Sequence, residues 1–228
     1  MRTTARDRRA RGWSEYYRTT SKRPPRDLLL QILTRLEREG DASPGRTAID
    51  LGFGGGTDTL ELLRRGWTVL AIDREAVAAR FLARRVPKRW RSRLTTVVAP
   101  MEGLDLPPAD LVYAGFSLPF CAPSRFPELW STIRAAVRPH GHFAGQLFGD
   151  RDEWSNHRSL TFHRRSEVIR LADGWKLELL RETDEQGWTH TGTKQWHFFD
   201  LVAEKPDVTP RGPRGVRRAP SKRARAQA

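Results

Sequence analysis

Apolar positions along the chain switch between two spacings, and the switching describes a fold. After Pro24 and Pro25, Leu28, Leu29, Ile32, Leu33 and Leu36 recur at helical intervals as far as Gly40, the stripe of a helix that packs on a sheet. Short apolar runs of strand length follow: Ala48, Ile49 and Leu51; the segment WTVLAID ending at Asp73; Leu94 to Ala99; and Asp110 to Gly115. Helical patterns separate them, from Ala76 to Leu82 with Pro87 as a stop, and through Phe126, Leu129, Trp130, Ile133 and Val137 with Ser124 placed as N-cap. RPHGHFAGQLF reads as a turn at Pro139 and Gly141 leading into a fifth strand, and Ser166 to Ala172 as a last helix. Trp175, Leu177 and Leu179 then alternate in a strand to Thr183. A turn at Asp184 to Gly187 leads to a final strand from Thr193 to Glu204, and so short a link makes the pair an antiparallel hairpin.

The chemistry concentrates in TAIDLGFGGGTD, residues 47–58, where a strand gives way to Gly52, Gly54, Gly55 and Gly56 and then to a helix. Glycines at such a junction allow positive φ and let a ligand approach the main chain. Asp73 ends the next strand, placed to accept hydrogen bonds from a ribose diol, so the two features together predict a nucleoside-containing cofactor. A dinucleotide fingerprint wants a third glycine where Thr57 stands. Asp50, two residues before Gly52, is also ill placed beside a pyrophosphate but suits a cofactor that carries an ammonium group.

The pattern D-x-G-x-G-x-G with an acid at the end of the next strand resembles the class I S-adenosylmethionine-dependent methyltransferases, over about Leu28 to Lys205. The resemblance implies a Rossmann-like α/β fold: a seven-stranded, mostly parallel sheet with helices on both faces and the C-terminal antiparallel hairpin. It implies S-adenosylmethionine as cofactor. The glycine loop (Gly52, Phe53, Gly54, Gly56) then serves the methionine and ribose portion, Asp50 the amino-acid end, Asp73 with Arg74 the ribose, Met101 and Glu102 the adenine, and Phe116 the methyl group. Pro100 stands where many members carry an acid after the third strand.

Three stretches bear on the acceptor. Trp13, Tyr16 and Tyr17 fall at i, i+3 and i+4, so their rings share one side of a helical turn. That turn either packs on the sheet edge as ordinary core or lies over the cofactor cleft, with Trp13 or Tyr17 in the substrate wall, as lids do in small-molecule branches of the family including the tellurite-resistance (TehB-like) branch. Ser117, Leu118, Pro119 and Phe120 partly match the [DNS]-P-P-[FYW] loop of base-methylating members, which leaves two readings: a base site, or a loop flooring a small-molecule pocket with Ser117 and Phe120 as contacts. The polar loop from Gly149 to His163 is longer than a connector needs and is where a general base would be sought, although no residue is singled out as catalytic. His140 and His142 read as solvated turn residues, His197 as core, and no metal is expected.

Composition narrows the setting. The formal charge of +14 sits mostly at the ends, with net +7 in residues 1–26 and +6 in residues 206–228, so the middle is nearly neutral. Such tails imply weak, nonspecific, salt-dependent contact with nucleic acid. The single cysteine, Cys121, forms no internal disulfide, and no apolar run is long enough to span a membrane. These features predict a cytoplasmic monomer with disordered basic arms at 1–12 and 206–228, and one domain at 13–205 whose residues 13–40 supply lid and packing helices. Its expected role is methyl transfer to a small-molecule acceptor. The alternatives are an RNA or DNA methyltransferase and a non-enzymatic nucleoside-binding regulatory domain.

Overall fold

The computed structural model describes residues 13, 15–17, 20–39, 45–189 and 192–207. The arm expected at 1–12 and residues 208–228 of the expected tail lie outside them. Strands β1 (Thr47–Leu51), β2 (Thr68–Asp73), β3 (Leu94–Val98), β4 (Ala109–Ala114) and β5 (Val137–Gly149) pair in parallel, and β7 (Lys176–Thr189) and β8 (Gly192–Glu204) complete the sheet antiparallel. The order is β3-β2-β1-β4-β5-β8-β7. Along β1 the side chains alternate: Ala48 packs in one core, Ile49 and Leu51 in the other. Helices α1 (Asp27–Arg38), α2 (Thr57–Arg64) and α3 (Ala76–Arg85) bury their apolar stripes in the first core, α4 (Phe126–Ala136) and α5 (Arg165–Leu171) in the second. The chain runs outward through β1, β2 and β3 and then returns to β4 on the opposite side of β1. That reversal opens a crevice beyond the carboxyl ends of β1 and β4.

Several expectations need correction. Among the described residues the sheet follows the expected seven-strand path, and a two-residue β6 (Phe162–His163), from within the long polar loop, joins it off that path by pairing in parallel with Phe148 and Gly149. Asp184 to Gly187 is not a turn: Asp184 pairs with His197 and Gly187 with Lys194, and the pairing runs on to Thr189 with Gly192. Gly187 is there for packing, since a Cβ on it would lie 2.8 Å from Cδ1 of Trp196. His140, not Gly141, takes the left-handed backbone, with φ 61°, while Gly141 is bare because carbonyls of Arg138 and Asp110 lie about 3 Å from where its Cβ would be. Ser124 does not cap α4, whose N-cap is Arg125 without a side-chain bond.

Charge is also distributed differently. His142 is buried, not solvated, with Nε2 3.3 Å from Glu178. Arg23 and Arg26, counted with the basic N-terminal end, are ion-paired with Asp58 inside the fold. His197 is buried as expected, but as a hydrogen-bonded group, 3.0 Å from Glu182 and accepting from the Arg151 amide. No helix among the described residues is long and apolar enough to cross a membrane.

Candidate active site

A cavity of about 840 Å³ occupies the crevice beyond the strand ends. Its floor is the turn after β1. Gly52, Gly54 and Gly56 all hold positive φ, at 73°, 54° and 79°. At Gly52 a Cβ would fall 2.3 Å from Cβ of Ser117, so the loop after β4 closes against the loop after β1 only because Gly52 is bare. The Ser117 hydroxyl donates to the Leu51 carbonyl across the same contact. Gly56 faces away from the cavity: its Cα abuts Leu82 of α3, where a Cβ would stand 2.6 Å from Cδ1, and Gly55 takes its place in the wall. Arg85 holds the loop by donating to the Gly55 carbonyl.

Asp73, at the end of β2, accepts from the amides of Gly54 and Glu75, both at 2.9 Å, and from the Tyr17 hydroxyl at 3.3 Å. Burial raises its pKa despite those donors, and burial beside Asp73 pushes the Tyr17 phenol up. Arg74, Met101 and Glu102 line the same end of the cavity beyond β2 and β3. Trp13 stacks on Tyr17 at 5.9 Å and meets Phe120 edge-on at 5.3 Å, so the N-terminal aromatic turn closes over the cavity. Trp13, Tyr16, Tyr17, Ser117 and Phe120 all stand in its wall.

Asp50 is 1% exposed and accepts from Thr59 at 2.6 Å. Burial, with the Asp58 charge nearby, pushes its pKa up to about 7, and among the described residues it forms no ion pair. Asp58 is satisfied: Arg23 donates to both of its oxygens, at 3.0 and 2.6 Å, the Arg26 amide donates at 3.0 Å, and the Tyr113 hydroxyl lies at 3.3 Å. The Arg26 guanidinium lies 3.7 Å from Asp58 and 4.6 Å from the centre of the Phe116 ring, while its Nε is buried without a hydrogen bond. Sequence reasoning missed this Arg23–Asp58–Arg26 group because its members lie on separate elements and carry no motif.

The other end of the cavity is aromatic. Phe116, at φ 58°, meets Phe198 at 4.9 Å and Trp196 at 5.9 Å, both edge to face, and Phe148 and Trp154 extend the wall. Trp196 and Phe198 were missed as site residues, although their i, i+2 spacing in the WHFF block already puts them on one face of β8, opposite His197 and Phe199. Behind this wall the Lys194 ammonium is 2% exposed, bonded to Asp152 and set 3.8 Å from the Trp154 ring and 4.1 Å from the Trp196 ring. Cys121, nearby in sequence, is buried and its thiol is pushed up to about 12 by burial, which leaves it no thiolate for nucleophilic chemistry.

A family model described as a methyltransferase domain matches residues 48–141, from β1 into β5. A search of curated proteins finds no significant match. Among solved structures, TehB from Haemophilus influenzae superposes with a TM-score of 0.61 at 17% identity, covering 75% of this chain and 60% of that one. The chain thus spans less than two thirds of TehB. The 1,6-didemethyltoxoflavin-N1-methyltransferase of Burkholderia thailandensis gives 0.60 at 20% identity, over 87% of each chain. The magnesium protoporphyrin IX methyltransferase of Synechocystis PCC 6803 gives 0.60 at 13%, over 78% of this chain and 77% of that one. At such identities these likenesses speak for the fold. The matched stretch, 94 of the 228 residues, is similar to a methyltransferase domain and holds the glycine turn with Asp50 and Asp73, which supports the reading of the chain as an S-adenosylmethionine-dependent methyltransferase.

Proposed function

We propose that the protein methylates a small molecule bound at the aromatic end of this cavity, with the cofactor bound at the glycine end. The observation that carries the reading is the cavity itself: the acceptor end is walled by rings from the β4 loop, β8 and the N-terminal turn, a concave apolar enclosure rather than a basic groove. S-adenosylmethionine supplies an activated methyl group, because transfer turns its sulfonium into a neutral thioether. The residues fit that cofactor on two features of the free protein. Among the described residues Asp50 is a buried carboxylate with no ion pair, and Arg26 Nε, 3.7 Å from Asp58, is buried with no hydrogen bond, as a ligand bearing both an ammonium and a carboxylate would require.

In this reading Asp50 receives the ammonium and Arg26 the carboxylate. Asp73 and Arg74 hold the ribose, Met101 and Glu102 the adenine, and Gly52, Phe53 and Gly54 lie along the chain between them. Gly56 shapes the loop from behind. The protein's task is alignment: Phe116 and Ser117 define the meeting point of the two ends, and the rings around them exclude water. Trp13, Tyr17 and Phe120 close the acceptor side. Two proteins of the same fold are methyltransferases of 1,6-didemethyltoxoflavin and of magnesium protoporphyrin IX, which agrees with a small-molecule acceptor.

Calorimetric titration with S-adenosylmethionine, S-adenosylhomocysteine and NAD tests the assignment. The two sulfur compounds bind, NAD is silent, and Asp73→Ala weakens binding at least tenfold. Labelled cofactor mixed with a metabolite extract then labels a small molecule; label entering total RNA or DNA instead would establish the nucleic-acid alternative.

A further inference from the structure

Resting on that reading, the acceptor end of the cavity shows what kind of molecule it takes. We infer that the acceptor is a flat, uncharged aromatic or heteroaromatic compound held against the ring cluster of Phe116, Trp196 and Phe198 and covered at the mouth by Trp188.

Three observations carry this. The walls are faces and edges of rings fixed by one another: Phe116 lies edge-on to both Phe198 and Trp196, and Trp196 packs at 6.0 Å on Phe148 and on Trp154. Rings set in this way favour a planar π-system, which gains stacking and edge-to-face contacts that a saturated molecule of the same volume does not. The cation position is already taken. Lys194 sits against Trp154 and Trp196 within hydrogen-bonding reach of Asp152, so an ammonium guest at the same rings would meet a fixed positive charge instead of an empty aromatic cage. A carboxylate guest would lose its water against apolar walls, and Arg26 is assigned to the cofactor.

The mouth shows the same preference. The β7–β8 hairpin runs past the strand ends and brings Trp188, 82% exposed, to the cavity rim. An indole so exposed at the edge of an aromatic pocket gains most by lying on a planar guest. Gly187 beside it leaves room for Trp196 to lie against β7.

Calorimetry on the full chain tests the inference, with and without saturating S-adenosylhomocysteine. The probes are 2-naphthol, 4-hydroxyquinoline and indole against cyclohexanol, N-methylglycine and choline. The ring compounds are expected to bind at least tenfold more tightly than the saturated and charged ones. Trp196→Ala weakens the ring compounds at least tenfold and leaves S-adenosylhomocysteine within twofold. Trp188→Ala, at an exposed site that does not threaten folding, weakens them at least threefold. Tighter binding of choline or N-methylglycine, silence of all three ring compounds, or ring binding indifferent to both substitutions overturns the inference. Failure of S-adenosylhomocysteine itself to bind sinks the cofactor assignment instead, so the two failures are distinguishable.

Discussion

Two side chains at the glycine end of the cavity are held in states that neither would choose in water. Asp50 is buried with one hydroxyl donor, and Arg26 keeps Nε buried and unbonded although its guanidinium stands 3.7 Å from Asp58. An unsatisfied buried group such as Arg26 Nε costs about 1–3 kcal/mol in the free protein, and the zwitterionic ligand end proposed above would relieve it. Arg26→Met therefore weakens S-adenosylhomocysteine by at least tenfold, since hydrogen bonds to charged groups contribute about 1.5–3 kcal/mol. The same substitution changes affinity for 5′-methylthioadenosine, which has no carboxylate, by less than twofold. Equal losses for both ligands in paired titrations would remove Arg26 from the carboxylate site.

Among the elements, the β7–β8 hairpin departs most from its sequence reading and supplies Trp188, Trp196 and Phe198 to the cavity wall. Its strands stay paired through Glu185–Trp196 and Thr189–Gly192, and the extra length carries Trp188 to the cavity. What stiffens it against the core is Lys194, bonded to Asp152 from the loop after β5, while Asp152 also accepts from the backbone amides of Trp154 and His197. Lys194→Met leaves that carboxylate buried without its counter-charge, and removal of one member of a buried pair costs about 3–5 kcal/mol. Urea unfolding should show the loss, and the double variant Lys194→Met with Asp152→Asn should recover a large part of it. A single variant as stable as the wild type would mean that the pair contributes little.

At the scale of the whole molecule, buried ionisable groups set opposing slopes of stability with pH. Burial lowers the His163 pKa to about 4 and also lowers that of His142, so the unfolded chain takes up protons that the folded protein refuses; this stability is complete above pH 6.5 and falls as pH drops below it. Asp50 acts in the other direction. Its folded pKa of about 7 exceeds its ordinary value of 3.8, so its contribution is complete at low pH and is lost as pH rises through 7. Between pH 6.5 and 5 the two effects oppose each other. Asp50→Asn exposes the histidine slope, about 1.4 kcal/mol per pH unit for each group fully titrating in the unfolded state, read from urea midpoints at pH 5, 6 and 7. An unchanged slope would show that Asp50 is not held near pH 7.

The sequence by itself determined the parts whose signals are local. The α1 stripe, the glycine turn after β1, Asp73 at the end of β2 and the antiparallel last strands were all legible, because backbone freedom at Gly52 and alternation along a strand depend on neighbours a few residues away. Local reasoning misplaced Gly187 and Gly141, where glycine answers to a side chain or carbonyl from another element rather than to a turn. Only the tertiary structure decided which charges meet and which rings face the cavity. Arg23, Arg26 and Asp58, Lys194 and Asp152, and Phe116 with Trp196 and Phe198 are pairings across tens of residues, made by the order in which strands lie side by side. The glycine end of the cavity is therefore written in a motif, while its aromatic end is written in packing, which leaves no fixed spacing to read.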